Sequence, residues 1–381
     1  MLKRLYVDNF RCLVNFEIKF DRMNLLLGEN GSGKTTVFEV LWKLQQLVVG
    51  ESKVREIFPA EDLTRWETLD TQVLEVELEK GEDVFKYRLL IEHSKDRKQT
   101  CVKHESLMCT NSKSTPTGAV VSVGNLFLCN SGNATVLDER TNNHVECKYD
   151  LNRSGVGTFK GSPHMNRLNI FCIELEKLII ATVCPTMMSS ESKSEDRALS
   201  RNMANFAAWY RFLSQEHQGQ AFLIFQELKK VLPGFNSFNI KAEGEKTRIL
   251  KVLFDLNHGS GRSISFDFGE LSDGQRVLVA LYSLLFGLKG QGYCLFLDEP
   301  DNYVALREIQ PWLRELSDAC DNGIEQVVLI SHHPEIIDYL AMNSGRWFDR
   351  ESNGPVRVSE SPKETIEGMK ASEGVARGWI A

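Results

Sequence analysis

Eight residues near the start of the chain have the types and spacing of a loop that binds phosphate groups. The segment Gly28–Thr35 reads GENGSGKT and fits the pattern G-x-x-x-x-G-K-[ST]. Its glycines let backbone N–H groups approach phosphate oxygens, Lys34 adds a positive charge, and the Thr35 hydroxyl can ligate Mg²⁺. We call this segment the P-loop. The residues predicted to bind a nucleoside triphosphate here are Asn30, Gly31, Ser32, Gly33, Lys34, Thr35 and Thr36.

A pair of carboxylates in the C-terminal part of the chain complements this loop. Asp298 and Glu299 directly follow the apolar run Tyr293–Leu297, which is predicted to be a buried strand. In a sheet that also carries a P-loop, Asp298 can hold Mg²⁺ and Glu299 can orient an attacking water molecule. A surface acidic turn is the alternative. We therefore predict Thr35 and Asp298 as metal ligands, and Lys34 and Glu299 as catalytic residues.

A second anion-binding pattern precedes these carboxylates. Leu271–Gln275 reads LSDGQ and is followed by the apolar segment Val277–Leu285, which is predicted to be a helix. A serine hydroxyl, a glycine N–H and the N-terminus of a helix together attract anions. The same residues would also serve as an ordinary helix N-cap. The predicted phosphate-binding residues of this pattern are Ser272, Gly274 and Gln275.

The order of these motifs resembles that of ABC-type ATPases of the SMC, RecF and OLD branch, which are described broadly as AAA family ATPases. LSDGQ is similar to the ABC signature LSGGQ, with Asp273 in place of a glycine. Ser331–Pro334 reads SHHP after an apolar strand, and the resemblance implies that His332 is the catalytic switch histidine. The opening Asn9–Arg11 is similar to the N-F-[RK] turn of the branch. This implies that Arg11 lies near the phosphates; a solvent-facing turn arginine is the alternative.

The resemblance also implies how such a protein works. In ABC-type ATPases two chains pack head to tail, so that each P-loop faces the signature motif of the other chain. The implied cofactors are ATP and Mg²⁺, the implied assembly is a homodimer or larger, and the implied activity is slow, switch-like ATP hydrolysis. The family's Q-loop glutamine has no decisive position here, and Gln72, Gln215 and Gln218 are candidates.

The spacing of the motifs distinguishes members of the branch. Asp298 follows Lys34 by 264 residues without a sustained heptad pattern, which predicts no coiled-coil arms. After His332 come 49 residues, too few for the TOPRIM nuclease domain of OLD proteins. The chain therefore looks most like an OLD-type, phage-defence ATPase that controls a separately encoded effector in bacterial defence or stress response. A RecF-like DNA-binding ATPase of DNA repair and a nucleotide-gated scaffold with vestigial hydrolysis are the alternatives.

The resemblance implies the fold that must hold these residues, and the patterning of the chain predicts some of its elements. We expect an α/β P-loop NTPase with an ABC-ATPase-type core, in which a mixed sheet is flanked by helices. An antiparallel β subdomain and an inserted, mostly helical subdomain complete it. Residues 71–92 are predicted to form an antiparallel hairpin, 196–231 to be helical, and Cys109–Gly118 to be a mobile loop. The predicted lobes are 1–108 with the P-loop, 109–260 as an inserted β and helical region, and 261–381 with the signature, carboxylate pair and histidine.

Composition and charge exclude several classes of protein. The chain has 381 residues, 42% of them hydrophobic and 25% charged, which is typical of globular proteins. Its net charge of −7 argues against a surface built for nonspecific duplex binding, although a local basic groove for nucleic acid is still open. No apolar run reaches the ~18 residues of a membrane span, and the nine cysteines form no C-x-x-C pair. We expect a cytoplasmic protein without a membrane partner.

Overall fold

The chain divides into two units, each with a core of its own. A computed structural model of the protein describes residues 1–50, 52–111, 121–256, 262–351, 354–362 and 369–377. The first unit contains the described residues of Met1–Leu178, Ser344–Glu367 and Arg377–Ala381, and the second unit contains those of Ile179–Asn343 and Gly368–Ala376. The predicted lobe boundaries at 108 and 260 differ from this division and stay a prediction.

Regular elements fill most of the described chain. The strands are β1 Leu2–Asp8, β2 Phe16–Lys19, β3 Met23–Gly28, β4 Thr71–Lys80, β5 Asp83–His93, β6 Thr100–Asn111, β7 Val121–Asn130, β8 Asn133–Asp138, β9 Asn143–Lys148, β10 Leu178–Thr182, β11 Glu191–Ser192, β12 Phe235–Glu243, β13 Thr247–Asp255, β14 Ser263–Asp267, β15 Cys294–Asp298, β16 Gln326–Ile330, β17 Gly345–Asp349 and β18 Arg357–Ser359. The helices are α1 Lys34–Val48, α2 Val54–Ile57, α3 Gly155–Thr158, α4 Asn166–Glu176, α5 Phe206–Glu216, α6 Gln218–Val231, α7 Asp273–Leu288, α8 Leu306–Asp321, α9 Pro334–Ser344 and α10 Ala371–Ala376. Within the described residues, no helix is both long and apolar enough to cross a bilayer.

An antiparallel sheet with the strand order β2-β1-β4-β5-β6-β7-β8-β9 forms much of the first unit. The predicted hairpin over 71–92 is confirmed as β4 and β5, with Val76 opposite Tyr87 and Leu78 opposite Phe85. These side chains are buried on one face, because alternate residues of a strand point to the same side of a sheet. Of the predicted loop Cys109–Gly118, the first three residues continue β6 and the others lie outside the described residues.

A parallel strand pair in the same unit carries the P-loop. Strand β3 pairs with β17, and Gly28 lies opposite Phe348 in this register. Leu25–Leu27 are buried on both faces, as predicted for a strand in a parallel arrangement. Helix α1 follows directly, and its apolar face is buried as its 3.6-residue spacing predicted.

A second parallel pair lies in the second unit and carries the carboxylates and the histidine. Strands β15 and β16 are parallel, with Asp298 opposite Ile330, and β10 is the other neighbour of β15. All residues of both strands are buried. Because parallel strands bring their carboxyl ends to one edge, the segments after Asp298 and Ile330 lie side by side. Helix α7 of this unit is buried continuously over Val277–Leu288.

The remainder of the second unit corrects one expectation. Strands β11-β13-β12 form a sheet in which β14 also pairs with β13, and helices α5 and α6 precede it. The prediction of helix over 196–231 was wrong for its first ten residues, since α5 begins at Phe206. The Asn205 side chain bonds the carbonyl of Ala198 and the N–H of Ser200, both at 2.8 Å. Such side-chain bonds compete with the helical backbone bonds.

The mixed α/β character of the prediction is confirmed, and the middle of the chain is less helical than expected. Strands β7, β8 and β9 extend the first unit's antiparallel sheet, while β11, β12 and β13 belong to the second unit. The inserted region therefore contributes strands to both units besides its helices. The motifs and their resemblance to ABC-type ATPases indicated the fold class, but no pattern indicated the pairing partners of these strands.

Candidate nucleotide-binding site

The P-loop connects the end of β3 to the start of α1 through three glycines with positive φ. Gly28 has φ 144°, Gly31 φ 81° and Gly33 φ 95°, and Gly33 is the N-cap residue of α1. Residues with a Cβ rarely adopt these conformations, so the glycines are required by the backbone itself. The loop thus has the strand–loop–helix context that the sequence predicted for it.

Close neighbours explain two of these glycines further. A Cβ on Gly28 would clash with the carbonyl oxygen of Phe348 on β17. A Cβ on Gly33 would lie 2.8 Å from Val356 and 3.0 Å from the sulfur of Cys12. The loop is therefore packed against other parts of the first unit at both its ends.

The Lys34 side chain is hydrogen-bonded to the backbone of the P-loop itself. Its Nζ donates to the carbonyl oxygens of Gly28 at 2.7 Å and Glu29 at 2.9 Å, and lies 3.4 Å from the hydroxyl oxygen of Ser32. Its side chain is buried, whereas Asn30, Gly31 and Thr35 are exposed. The hydroxyl of the neighbouring Thr36 accepts from the Cys12 thiol at 3.6 Å. The ammonium group is thus fixed within the loop, and the Thr35 hydroxyl is accessible.

Sequence reasoning missed Arg350, which contacts the P-loop directly. Its Nη1 donates to the carbonyl oxygen of Gly31 at 2.9 Å, its Nε donates to that of Gly354 at 2.8 Å, and its guanidinium carbon lies 5.3 Å from the ring centre of Trp66. Arg350 is 319 residues from Gly31 in sequence. No local pattern could have indicated the contact, because it depends on the pairing of β17 with β3.

Arg11 is held by carboxylates. Its Nε donates to Asp62 at 2.8 Å and its Nη1 to Glu39 of α1 at 2.6 Å. Asp62 also pairs with Lys43 of α1 and is itself buried. These two carboxylates raise the pKa of the Arg11 guanidinium, although its partial burial opposes them. The role near the phosphates implied for Arg11 stays a prediction.

Gln72, one of the Q-loop candidates, is a buried structural residue. Its Nε2 donates to the carbonyl oxygens of Asn9 at 3.0 Å and Asp62 at 3.3 Å, and its Oε1 lies 3.1 Å from Nε2 of His93. Burial lowers the pKa of His93 and so favours the neutral ring. The Gln72 amide thus links the turn around Asn9 to His93.

In the second unit, Asp298 and Glu299 lie at the carboxyl end of β15. Asp298 is buried, and the backbone N–H of Glu299 donates to the carbonyl of Ile330 at 2.8 Å. Glu299 has φ 48°, a conformation that costs a residue with a side chain about 1–2 kcal/mol. Its Oε2 accepts from Nδ2 of Asn302 at 2.8 Å. Strained residues of this kind concentrate at functional sites, which favours a role for the Glu299 carboxylate.

The segment after β16 lies beside this carboxylate pair. His332 is exposed, and Ser331 is buried and accepts the N–H of His333 at 3.0 Å. Burial raises the pKa of the nearby Asp301 carboxyl, while a hydrogen bond with Ser331 opposes that rise. The structure therefore brings the predicted Glu299 and His332 segments to one edge, as the parallel pairing requires.

The LSDGQ segment forms the N-terminus of α7. Ser272 is the N-cap, its hydroxyl accepts the N–H of Gln275 at 3.3 Å, and the Gln275 side chain accepts the N–H of Ser272 at 3.1 Å. A Cβ on Gly274 would lie 2.8 Å from the carbonyl oxygen of Tyr303, so this position tolerates only glycine. Asp273 pairs with Arg276 within the same turn. Ser272 is exposed and therefore accessible.

The predicted residues thus fall into two sets. The P-loop and Arg11 lie in the first unit, whereas the carboxylate pair, His332 and the LSDGQ segment lie in the second. Within each unit the members of a set are positioned by neighbouring elements, namely β3, α1 and β17 in the first and β15, β16 and α7 in the second.

Part of the chain is similar in sequence to known proteins. Residues 1–115 match the family described as AAA ATPase domain. A stretch of 51 residues is 41% identical to the OLD nuclease of Thermus scotoductus, and it covers 13% of this chain and 9% of that protein. The match therefore spans a small part of the length of the curated relative.

Among solved structures, the fold is similar to that of SMC heads. An SmcHead bound to the C-winged helix domain of ScpA matches with a TM-score of 0.53 at 12% identity, over 94% of this chain and 96% of that one. A Smc head domain bound to the C-terminal domain of ScpA, derived from Pyrococcus furiosus, matches with a TM-score of 0.48 at 11% identity, over 94% and 95%. Together, the ATPase-domain match, the OLD segment and the SMC-head fold fit an ABC-type ATPase of the SMC, RecF and OLD branch, as the motifs predicted.

Proposed function

We propose that this chain binds ATP at its P-loop, hydrolyses it slowly and works as a nucleotide-driven switch. The observation that carries the proposal is the loop between β3 and α1. It has three glycines at positive φ, a buried Lys34 and an exposed Thr35, and it lies inside the segment that matches an ATPase domain. A helix N-terminus behind such a loop favours a bound phosphate, since its positive dipole end faces the anion.

The residues of the site fit a triphosphate with Mg²⁺. The glycines leave room for phosphate oxygens, Lys34 supplies positive charge, Asn30, Gly31, Ser32 and Gly33 line the rest of the loop, and Thr36 follows in the first turn of α1. Thr35 and Asp298 are the proposed Mg²⁺ ligands, since Mg²⁺ in such sites takes one or two protein oxygens besides phosphate. When bound, the ion neutralises charge on the phosphates.

Glu299 and His332 are proposed to carry the hydrolytic step. The Glu299 carboxylate accepts a hydrogen bond from the attacking water and thereby orients it. It then takes a proton from this water as the water oxygen attacks the terminal phosphorus. The bond from phosphorus to the bridging oxygen breaks, and ADP and phosphate leave. His332, at the end of the neighbouring strand, is proposed to hold the terminal phosphate, and Lys34 stabilises the charge that develops on it. The strained backbone of Glu299 and its bond from Asn302 support this positioning role.

The exposed Ser272 supports a composite site in a head-to-tail dimer. One terminal phosphate needs one P-loop and one signature segment, and the exposed N-terminus of α7 offers Ser272, Gly274 and Gln275 to a second copy of the chain. Binding of ATP would then close the dimer, and loss of the terminal phosphate would open it. Arg11 is proposed to lie at the edge of the phosphate site.

We propose that the switch controls a separately encoded effector protein in bacterial defence or stress response. The OLD segment supports this direction, and the matched SMC head is itself bound to another protein. The alternative, a DNA-repair ATPase, predicts stimulation of hydrolysis by duplex DNA that weakens steeply with salt. Turnover measured with and without duplex separates the two readings.

The experiment that tests the core of the proposal compares three variants of the full chain. Lys34→Ala should abolish ATP binding. Glu299→Gln should retain ATP binding, lose at least about 100-fold in turnover and accumulate an ATP-bound dimer, because it removes the general base alone. Glu245→Gln, in an exposed turn, is the matched control and should behave as wild type. Unchanged turnover in Glu299→Gln would remove this carboxylate from the mechanism, and ATP binding by Lys34→Ala equal to wild type would remove the P-loop.

A further inference from the structure

The C-terminal part of the first unit contacts each glycine of the P-loop. The Phe348 carbonyl fills the space beside Gly28, and Val356 lies where a Cβ on Gly33 would be. Arg350 lies between them in sequence and donates to the carbonyl oxygen of Gly31. The loop is therefore packed at its two ends and hydrogen-bonded at its tip.

The tip of the P-loop, at Gly31, is restrained differently from its two ends, which pack against Phe348 and Val356. Among the described residues, nothing lies within 4 Å of the position that a Cβ on Gly31 would occupy. Packing therefore does not fix this peptide, and a glycine at φ 81° has several conformations of similar energy. Hydrogen bonds hold the Gly31–Ser32 peptide on both sides: its N–H donates to the carbonyl of Glu29 at 3.1 Å within the loop, and its carbonyl accepts from Arg350 at 2.9 Å.

Further contacts hold Arg350 in place. Its Nε bonds the carbonyl of Gly354 at 2.8 Å, and the guanidinium lies over the ring of Trp66 at 5.3 Å. Arginine suits this arrangement because its planar group donates in two directions while its face stacks on an aromatic ring. Trp66 is 44% exposed, so it serves as a surface platform rather than as a core residue.

We propose that Arg350 is a positioning residue of the P-loop, and that Trp66 is the platform that holds it. By fixing the Gly31 peptide, Arg350 keeps the loop in the conformation that receives phosphate, although it does not itself need to touch the nucleotide. This inference rests on the proposed binding of ATP. Without Arg350, the loop conformation that receives phosphate is one of several. The apparent dissociation constant for ATP then equals the intrinsic constant divided by the fraction of molecules in that conformation.

The test measures the affinity of ATPγS for the full-length wild type and three variants. Arg350→Ala should weaken binding about tenfold, the effect of one lost charge-assisted hydrogen bond. Arg350→Lys keeps a donor but not the planar group, so its affinity for ATPγS should lie between those of wild type and Arg350→Ala. Arg4→Ala is the matched control, because Arg4 donates to Glu17 at 2.7 Å and lies 5.6 Å from the ring centre of Tyr6, contacts of the same kind on strand β1.

Thermal unfolding without nucleotide separates positioning from stability. Arg350→Ala and Arg4→Ala should lose similar amounts of stability, while Arg350→Ala alone should lose affinity. Equal affinity of wild type and Arg350→Ala overturns the inference and leaves the proposed function intact. Absence of ATPγS binding by the wild type overturns the proposed function first, so the two failures are distinguishable.

A double-mutant cycle tests the platform. Trp66→Ala should weaken ATPγS binding less than Arg350→Ala, and the double variant should bind no more weakly than Arg350→Ala, since both substitutions act through one contact. Additive losses from the two substitutions would show that Trp66 does not act through Arg350 and would overturn its assignment as the platform.

Discussion

At the scale of single residues, the three P-loop glycines share a positive φ but differ in their surroundings. Gly31 has open space beside it among the described residues, whereas Gly33 faces Val356 and Cys12 at 2.8 and 3.0 Å. An alanine at Gly31 would meet backbone strain alone. An alanine at Gly33 would meet the same strain and also displace two packed side chains, one of them buried completely.

We predict that Gly31→Ala and Gly33→Ala destabilise the protein by different amounts. Gly31→Ala should lower the free energy of unfolding by about 1 kcal/mol, the cost of placing alanine at positive φ. Gly33→Ala should lower it by about 3 kcal/mol, because overpacking adds about 1–3 kcal/mol. Urea unfolding of the two variants and wild type measures both values. Equal losses would show that Val356 and Cys12 yield without cost.

At the scale of elements, the buried carboxylate of Asp62 joins three parts of the first unit. It pairs with Lys43 of α1, accepts from Arg11 of the turn after β1, and its own backbone carbonyl accepts the N–H of Arg11 at 2.8 Å. Helix α1 begins at the P-loop, so this cluster anchors the helix whose N-terminus is proposed to face the phosphates. The Asn9–Arg11 turn is thus attached to α1 through carboxylates.

We predict that Asp62→Ala lowers the free energy of unfolding by about 3 kcal/mol, because it leaves the buried Lys43 ammonium without this carboxylate. The double variant Asp62→Leu with Lys43→Met should recover most of this loss, since well-packed apolar groups replace a buried ion pair at little cost. Urea unfolding measures both. A double variant as unstable as Asp62→Ala would show that Arg11, rather than Lys43, determines the contribution of Asp62.

At the scale of the whole molecule, the proposed dimer makes a prediction that a self-sufficient monomer does not. Lys34→Ala damages a P-loop and Ser272→Arg damages a signature segment, so each variant alone should be inactive. In a head-to-tail heterodimer of the two, one composite site combines the intact P-loop of one chain with the intact signature of the other. An equal mixture should recover about one quarter of the wild-type turnover, since half of the dimers are mixed and each has one site of two.

A second mixture controls for this complementation. Because Thr35 and Asp298 are proposed to hold the same Mg²⁺, we expect Glu299 to act on the nucleotide at the P-loop of its own chain. Lys34→Ala and Glu299→Gln then damage the same half of a site, so no pairing of these chains restores an intact one. Their mixture should stay inactive in the ATPase assay. Recovery in both mixtures, or in neither, would contradict the head-to-tail arrangement.

The sequence by itself determined the local features of this protein. The glycine spacing of the P-loop, the apolar runs before Asp298 and Ser331, and the alternation over 71–92 each encode a strand, a helix start or a turn within a few residues. The structure confirms those elements, because short-range backbone preferences and burial of one face act on neighbouring residues. The order of the motifs along the chain, which the sequence also gives directly, indicated the family resemblance.

Only the tertiary structure decided the contacts made between distant parts of the chain. The bond from Arg350 to Gly31, the register of β17 against β3 and the pairing of Asp62 with Lys43 join residues that no periodic pattern relates. Gln72, one of three Q-loop candidates, forms a buried bridge between Asn9 and His93. Such partners are set by which surfaces pack together, and packing depends on the shape of the whole unit rather than on any local stretch of sequence.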